Sequence, residues 1–213
     1  MPYSIGIDYG TQSARAELVR LADGAIIASA EDVYAHGVME ERLPSGVRLG
    51  PAWAVQDGRD YWDLLVTLVR ELLVDSSVDP ASVIGLGIDS TSCTVLALDA
   101  DMEPLSARSE FADEPLAHVL LWKHHAAQPY ADELNRIAAQ RGESFLTRYG
   151  GRISSEWLFP KIMQVATGGP HVYAAAQCFS EVADWLGFKL TGNHVKSNVM
   201  AGYKALWLSL IHI

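Results

Sequence analysis

Two short stretches carry residues whose types and spacing could do chemistry. The first is YSIGIDYGTQSARAELV, starting at Tyr3, in which Asp8 closes an otherwise apolar run. Gly10 lets a backbone approach a ligand closely. Thr11, Gln12 and Ser13 crowd hydroxyl, amide and N–H donors into one turn, an arrangement that can wrap phosphate oxygens. Asp8 offers hard carboxylate oxygens of the kind Mg²⁺ takes, directly or through water. Arg15 lies two residues beyond Ser13, on the same strand face, and could add positive charge there. Together these groups could neutralise a transferring phosphoryl group. The alternative is an ordinary Asx-turn at Asp8. The second stretch is DSTSCT. It places Asp89 at the end of another apolar run, followed by Ser90, Thr91, Ser92 and Thr94. Each hydroxyl both donates and accepts, which suits a sugar or polyol; a serine-rich β-turn is the alternative.

Other candidates are weaker. Glu156 and Lys161 in SEWLFPK, and Lys204 in AGYK, read as solvated helix surface or as polar contacts. In LWKHHAA, Trp122 could stack on a sugar face with Lys123 and His124 beside it, or pack in a core. Zinc at His124 and His125 is disfavoured: adjacent side chains point apart, and no third ligand follows at helical spacing.

These groups must be positioned by regular elements. Residues 3 to 9, 14 to 21 and 25 to 34 read as three strands joined by tight turns, an antiparallel meander. No helix separates the first two, so the chain does not open on a nucleotide-binding βαβ unit. Residues 35 to 52 lack periodicity and read as an extended surface loop. Asp57 caps a helix whose apolar face is Tyr61, Leu64, Leu65, Leu68, Val69 and Leu72. VIGLGIDS (83 to 90) is a buried strand, and CTVLALDAD (93 to 101) alternates. Residues 108 to 129 read as loop. Helices follow near 129 to 141 and after the Gly-Gly break at 150, with Pro160 in the early turns of the latter. A short strand and a helix ending at Gly192 close the pattern. Meander first and helices later argue for one mixed α/β domain.

Composition narrows the partners. With 213 residues the chain can bury a substantial core. Its formal charge of -10 lacks the field of a nonspecific nucleic-acid binder, so an anionic ligand needs local help. Cys93 and Cys178 sit in no ligand spacing and read as two buried thiols of a reducing compartment. No signal peptide or membrane span is expected, which places the protein in the cytoplasm.

Taken together, GIDYGTQSARA, IGLGIDSTSCTVLALDADMEPL, FADEPLAHVLLWKHHAA, YGGRISSEWLFPKI, EVADWLGFKLTG and AGYKALW resemble the FGGY carbohydrate kinases, in family order over residues 3 to 207. DYGTQSARA, LWKHH and SSEW are similar to the ribulokinase branch in particular. The resemblance implies a ribonuclease H-like fold of the actin/hexokinase type and an active site between two domains. It implies transfer of the ATP γ-phosphate to a sugar hydroxyl with Mg²⁺, for this branch L-ribulose to L-ribulose 5-phosphate. Carried over, Gly10, Thr11, Gln12, Ser13 and Arg15 match the phosphate-facing hairpin, and Asp8 the metal position. Ser92 and Lys204 match sugar-contacting positions, and Glu156 falls where related kinases place one. Asp89, Ser90, Trp122, Lys123 and His124 match the cleft side.

Family members are more than twice this length. The expectation is therefore an N-terminal domain over 1 to 207, an atypical tail over 208 to 213, and a missing C-terminal domain. That domain would carry the catalytic-base aspartate and most of the adenine pocket. No residue here matches the base, so the chain alone is expected to be inactive. Homo-oligomerisation of the full-length enzyme stays open. A kinase for another pentulose or polyol, such as D-ribulose or ribitol, and a non-catalytic sugar-binding domain are the competing readings.

Overall fold

The computed structural model describes residues 1–207; the tail expected over 208 to 213 lies outside the described residues. The elements run β1 (Tyr3–Tyr9), β2 (Ser13–Arg20), β3 (Ala25–Val33), β4 (Val55–Gln56), α1 (Gly58–Ser76), β5 (Val83–Ser90), β6 (Val95–Leu98), β7 (Val119–Leu120), α2 (Gln128–Arg141), α3 (Leu158–Gly168), α4 (Pro170–Ala175), β8 (Cys178–Glu181), α5 (Val182–Thr191) and α6 (Asn198–Lys204). They gather into two compact units. One comprises residues 1–38 and 57–91; the other comprises residues 39–56 and the chain from Ser92 onward.

The first unit is a four-stranded mixed sheet in the order β3-β2-β1-β5. The expected meander is present, and β5 adds to β1 in parallel, but as a strand at the sheet edge with Ile84 and Leu86 exposed rather than as the buried strand expected. Alternation sorts the residues. Ile5, Ile7, Tyr9, Ala14, Ala16 and Leu18 are buried, and α1 packs on that side of the meander. The α1 face is the one the periodicity predicts, with Tyr61, Leu64, Leu65, Leu68 and Leu72 buried and Val69 half-buried. Each fully buried leucine contributes roughly 1.5–3 kcal/mol. Three tyrosines lock the seam. The Tyr9 hydroxyl donates to the Tyr61 carbonyl at 3.0 Å, and the Tyr34 ring lies 5.0 Å from that of Tyr61.

Asp57 caps α1 by accepting from the Arg59 N–H at 2.9 Å, and also holds the Arg59 guanidinium. Burial raises its pKa, but the bonds and charge of Arg59 outweigh this and leave it below the usual carboxylate value. Asp57→Ala removes the cap, and should lower stability by about 0.5–2 kcal/mol in urea unfolding at pH 7.

The second unit holds a small sheet in the order β4-β7-β6-β8. Its core joins Met39, Leu43, Val55, Leu105, Leu116, Leu120, Val165 and Val172. This corrects two expectations. Residues 35 to 52 are not only surface loop, because Met39 and Leu43 are buried and Met39 bridges Val55. Likewise 108 to 129 contains β7 and a buried run through Leu121. Both segments anchor through isolated apolar residues, which leave no periodic trace in sequence. Cys178 is half-buried rather than buried, and both cysteines are free thiols. Among the described residues no helix is long and apolar enough to cross a membrane.

Candidate functional site

In the first unit the face of the sheet opposite Ile5, Ile7 and Tyr9 is open. Register sets Asp8 of β1 opposite Arg15 of β2 on one side and Asp89 of β5 on the other. Gly6 and Gly87 pair two residues back along the same strands, and a Cβ at either would meet nothing within 4 Å. The result is a groove of about 490 Å³ lined by Gly6, Asp8, Arg15, Glu17, Gly87 and Asp89. Its carboxylates are exposed.

The turn from Gly10 to Gln12 connects β1 to β2 two residues beyond Asp8. A Cβ on Gly10 would sit 3.1 Å from the Ser13 carbonyl oxygen, so the tight bend favours glycine. The Tyr34 hydroxyl donates to the Gly10 carbonyl at 2.7 Å and ties the turn to the end of β3. Thr11 is half-buried and Gln12 exposed. Ser13 and Arg15 both face Glu31: the Ser13 hydroxyl donates to it at 2.8 Å, and the guanidinium lies 3.9 Å away. A phosphate would therefore compete with Glu31 for both groups.

No group of three or more His, Cys, Asp or Glu side chains forms a metal cage among the described residues. Two neighbouring carboxylates nonetheless fit Mg²⁺ in its usual manner, in which the ion keeps several waters and shares the rest of its shell with phosphate.

In the second unit, Ser92 is half-buried and Cys93 is buried at a left-handed φ of 63°. Lys204, in the last turn of α6, lies over the Tyr203 ring at 4.3 Å and the Trp157 ring at 5.8 Å. A cavity of about 510 Å³ lined by Arg148, Tyr149, Trp157, Tyr203, Lys204 and Trp207 opens beside it. Burial pushes the Cys93 thiol up, while the charge of Lys204 pulls it partly back. Glu156, just before Trp157, pairs with His125 at 3.5 Å. Asn135 holds the preceding loop by exchanging two hydrogen bonds with the Ile153 backbone, at 2.8 and 2.7 Å.

The pattern of the FGGY family of carbohydrate kinases, N-terminal domain, matches residues 3–207. The chain belongs to that family. Its relatives include a protein named ribulokinase from Geobacillus thermodenitrificans, 52% identical over 96% of this chain and 36% of the relative. Another is a ribulokinase from Mycolicibacterium smegmatis, 50% identical over 96% of this chain and 37% of the relative. The chain thus spans little more than a third of the length of the curated relatives it matches. A solved structure of a xylulose kinase from Rhodospirillum rubrum superposes with a TM-score of 0.73 at 23% identity, over 93% of this chain and 36% of that one. A gluconate kinase from Lactobacillus acidophilus gives 0.71 at 18% identity, over 95% and 36%. At such identities the likeness speaks to fold, and the fold is the actin/hexokinase-like arrangement that opens on the β3-β2-β1 meander.

Within this FGGY domain the residues singled out in sequence divide. Asp8, Arg15 and Asp89 meet in one groove, whereas none of Gly10, Thr11, Gln12 and Ser13 lines it. Asp89, read as a sugar-side residue, stands beside Asp8, because β5 pairs with β1 in register. Its carboxylate also accepts from the Ser90 N–H at 2.9 Å, and the Ser90 hydroxyl is buried.

Ser92 and Lys204 belong to the second unit, as do Trp122, Lys123, His124 and Glu156. Trp122 is exposed, so it is not a core tryptophan, and Lys123 pairs with Glu40 at 2.8 Å. His124 corrects the expectation of a sugar contact. It is fully buried, its Nδ1 accepts from the Ala54 N–H at 3.3 Å, and its Nε2 pairs with Gln164 at 2.8 Å. No ring edge is left for a ligand. Lys161 corrects another reading: it is fully buried, not solvated surface. Sequence reasoning missed Glu31, Tyr34 and Glu181. Strand alternation could have put Glu31 on the Arg15 face; nothing local marks the other two.

Proposed function

We propose that this chain forms the phosphate-gripping and sugar-facing part of a cytoplasmic ribulokinase that transfers the ATP γ-phosphate to the terminal hydroxyl of L-ribulose. The observation that carries this is the placement of Asp8, Arg15 and Asp89 side by side at the mouth of a glycine-floored groove, next to the Gly10 turn. Relatives named ribulokinase at half identity favour the ketopentose. In the transfer, the sugar oxygen bonds to the γ-phosphorus, the bond to the bridging oxygen breaks, and ADP leaves. The sugar proton passes to a base that none of the residues assigned here provides.

Bound Mg²⁺ would supply charge neutralisation at the phosphates, with Asp8 and Asp89 as the groups able to hold it through water. Arg15 adds positive charge at the groove, and the Gly10 turn presents backbone and hydroxyl donors. Ser92 and Lys204 orient the ketose, and Trp122 and Glu156 flank it.

The test is a chimera in which residues 1–207 replace the matching segment of the Geobacillus thermodenitrificans ribulokinase. We expect ATP-dependent turnover of L-ribulose comparable with the parent, and a clear preference over D-ribulose and ribitol. Preference for one of those would move the assignment to another pentulose or polyol. Sugar binding with no transfer would leave a non-catalytic domain.

A further inference from the structure

We propose that Lys161 is a positioning residue that holds the Ser92–Cys93 turn and the approach to Trp122 in one fixed relation. The proposal rests on the reading above that Ser92 and Trp122 face a sugar. Lys161 stands in the early turns of α3 and is fully buried. Its ammonium has three protons, and three backbone carbonyls receive them. These belong to Cys93, to Leu120 at 3.1 Å and to Leu121 at 2.6 Å. One side chain thus joins the turn that follows β5 to the end of β7 and to Leu121, the residue before Trp122.

The grip has a specific object. Cys93 adopts a φ of 63°, a left-handed conformation disfavoured for any residue with a Cβ. Its carbonyl is the one drawn to the ammonium. From the other side, the N–H of the following residue, Thr94, is held by the buried Glu181 carboxylate at 2.9 Å. A cation on α3 and an anion on β8 therefore fasten the two polar ends of one peptide group, the one that joins Cys93 to Thr94. Burial opposes both charges, raising Glu181 and lowering Lys161, and each charge offsets part of the penalty on the other. In the low-dielectric interior these charge-assisted bonds are stronger than the same bonds would be in water.

The experiment is Lys161→Met in this chain, read by amide hydrogen exchange and by L-ribulose calorimetry. Exchange at residues 92–95 and 120–123 should rise about ten- to a hundred-fold, the range expected from losing a charge-assisted hydrogen bond, with β1 and β2 unchanged. L-ribulose affinity should fall. Adding Cys93→Gly, which adopts the left-handed conformation freely, should recover part of that affinity without restoring the lost stability.

Unchanged exchange in the two segments, or an equal rise across the whole chain, would overturn the proposal. So would a double variant that binds no better than Lys161→Met. If Lys161→Met does not fold, Lys161→Arg serves: it keeps the charge but cannot bring three donors to one point. If the unsubstituted chain binds no L-ribulose, the sugar reading fails, and exchange alone decides the clamp.

Discussion

Asp8→Asn in the chimera should lower kcat for L-ribulose by about 10²–10³-fold, the usual cost of removing one electrostatic contributor to a transition state. The same substitution in this chain should leave its urea midpoint almost unmoved, within about 0.5 kcal/mol, because Asp8 is exposed and its strand neighbours keep their register. Asparagine is a sharp probe here. It has nearly the same shape and makes the same Asx-turn, so a purely structural Asp8 would tolerate it in both assays. A phosphate-site Asp8 would not, since the groove loses one of two adjacent carboxylates while Arg15 keeps its charge. If kcat stays within a factor of a few, the groove is not where the phosphoryl group is handled.

The second large effect lies in acid stability and is centred on His124. Burial lowers its pKa from 6.5 to about 4, opposed in part by the bond to Gln164. Its Nδ1 accepts from the Ala54 N–H, so a proton added there would set donor against donor inside the core. Above pH 6.5 the ring is neutral in both folded and unfolded chains, and the full contribution is present. Between pH 6.5 and 4 the unfolded chain takes up the proton and the folded one does not. Stability is therefore lost as pH falls through that window, by on the order of 3 kcal/mol in all. Urea unfolding at several pH values should show this slope. His124→Gln, which cannot titrate, should be less stable at pH 7 but flatter below it. A slope identical in the two proteins would mean that His124 is protonated in the fold.

The sequence disclosed more of the first unit than of the second. Alternation over residues 3 to 33 and the 3.6-residue period of α1 are local signals, and the strands and helix stand where those signals put them. Asp8 and Asp89 were visible as charges ending apolar runs. Their adjacency was not, because it comes from parallel pairing between strands separated by β2, β3, β4 and α1. In the second unit the helices α2, α3 and α5 left a local signal, but the two-residue strands β4 and β7 and single anchoring side chains such as Met39 and Leu43 carry no period.

Histidine and lysine show the same division at the level of one residue. The sequence by itself determined the family, the opening meander, the tight turn at Gly10, and the two strand-end carboxylates. Each is a short-range pattern, set by stereochemistry within a few residues. Only the tertiary structure decided that His124 and Lys161 lie in the core, that Glu31 holds Ser13, and that Asp89 stands beside Asp8. A polar side chain's role follows from what desolvates it and what partners it there. Those neighbours come from remote parts of the chain, through packing that no local pattern encodes.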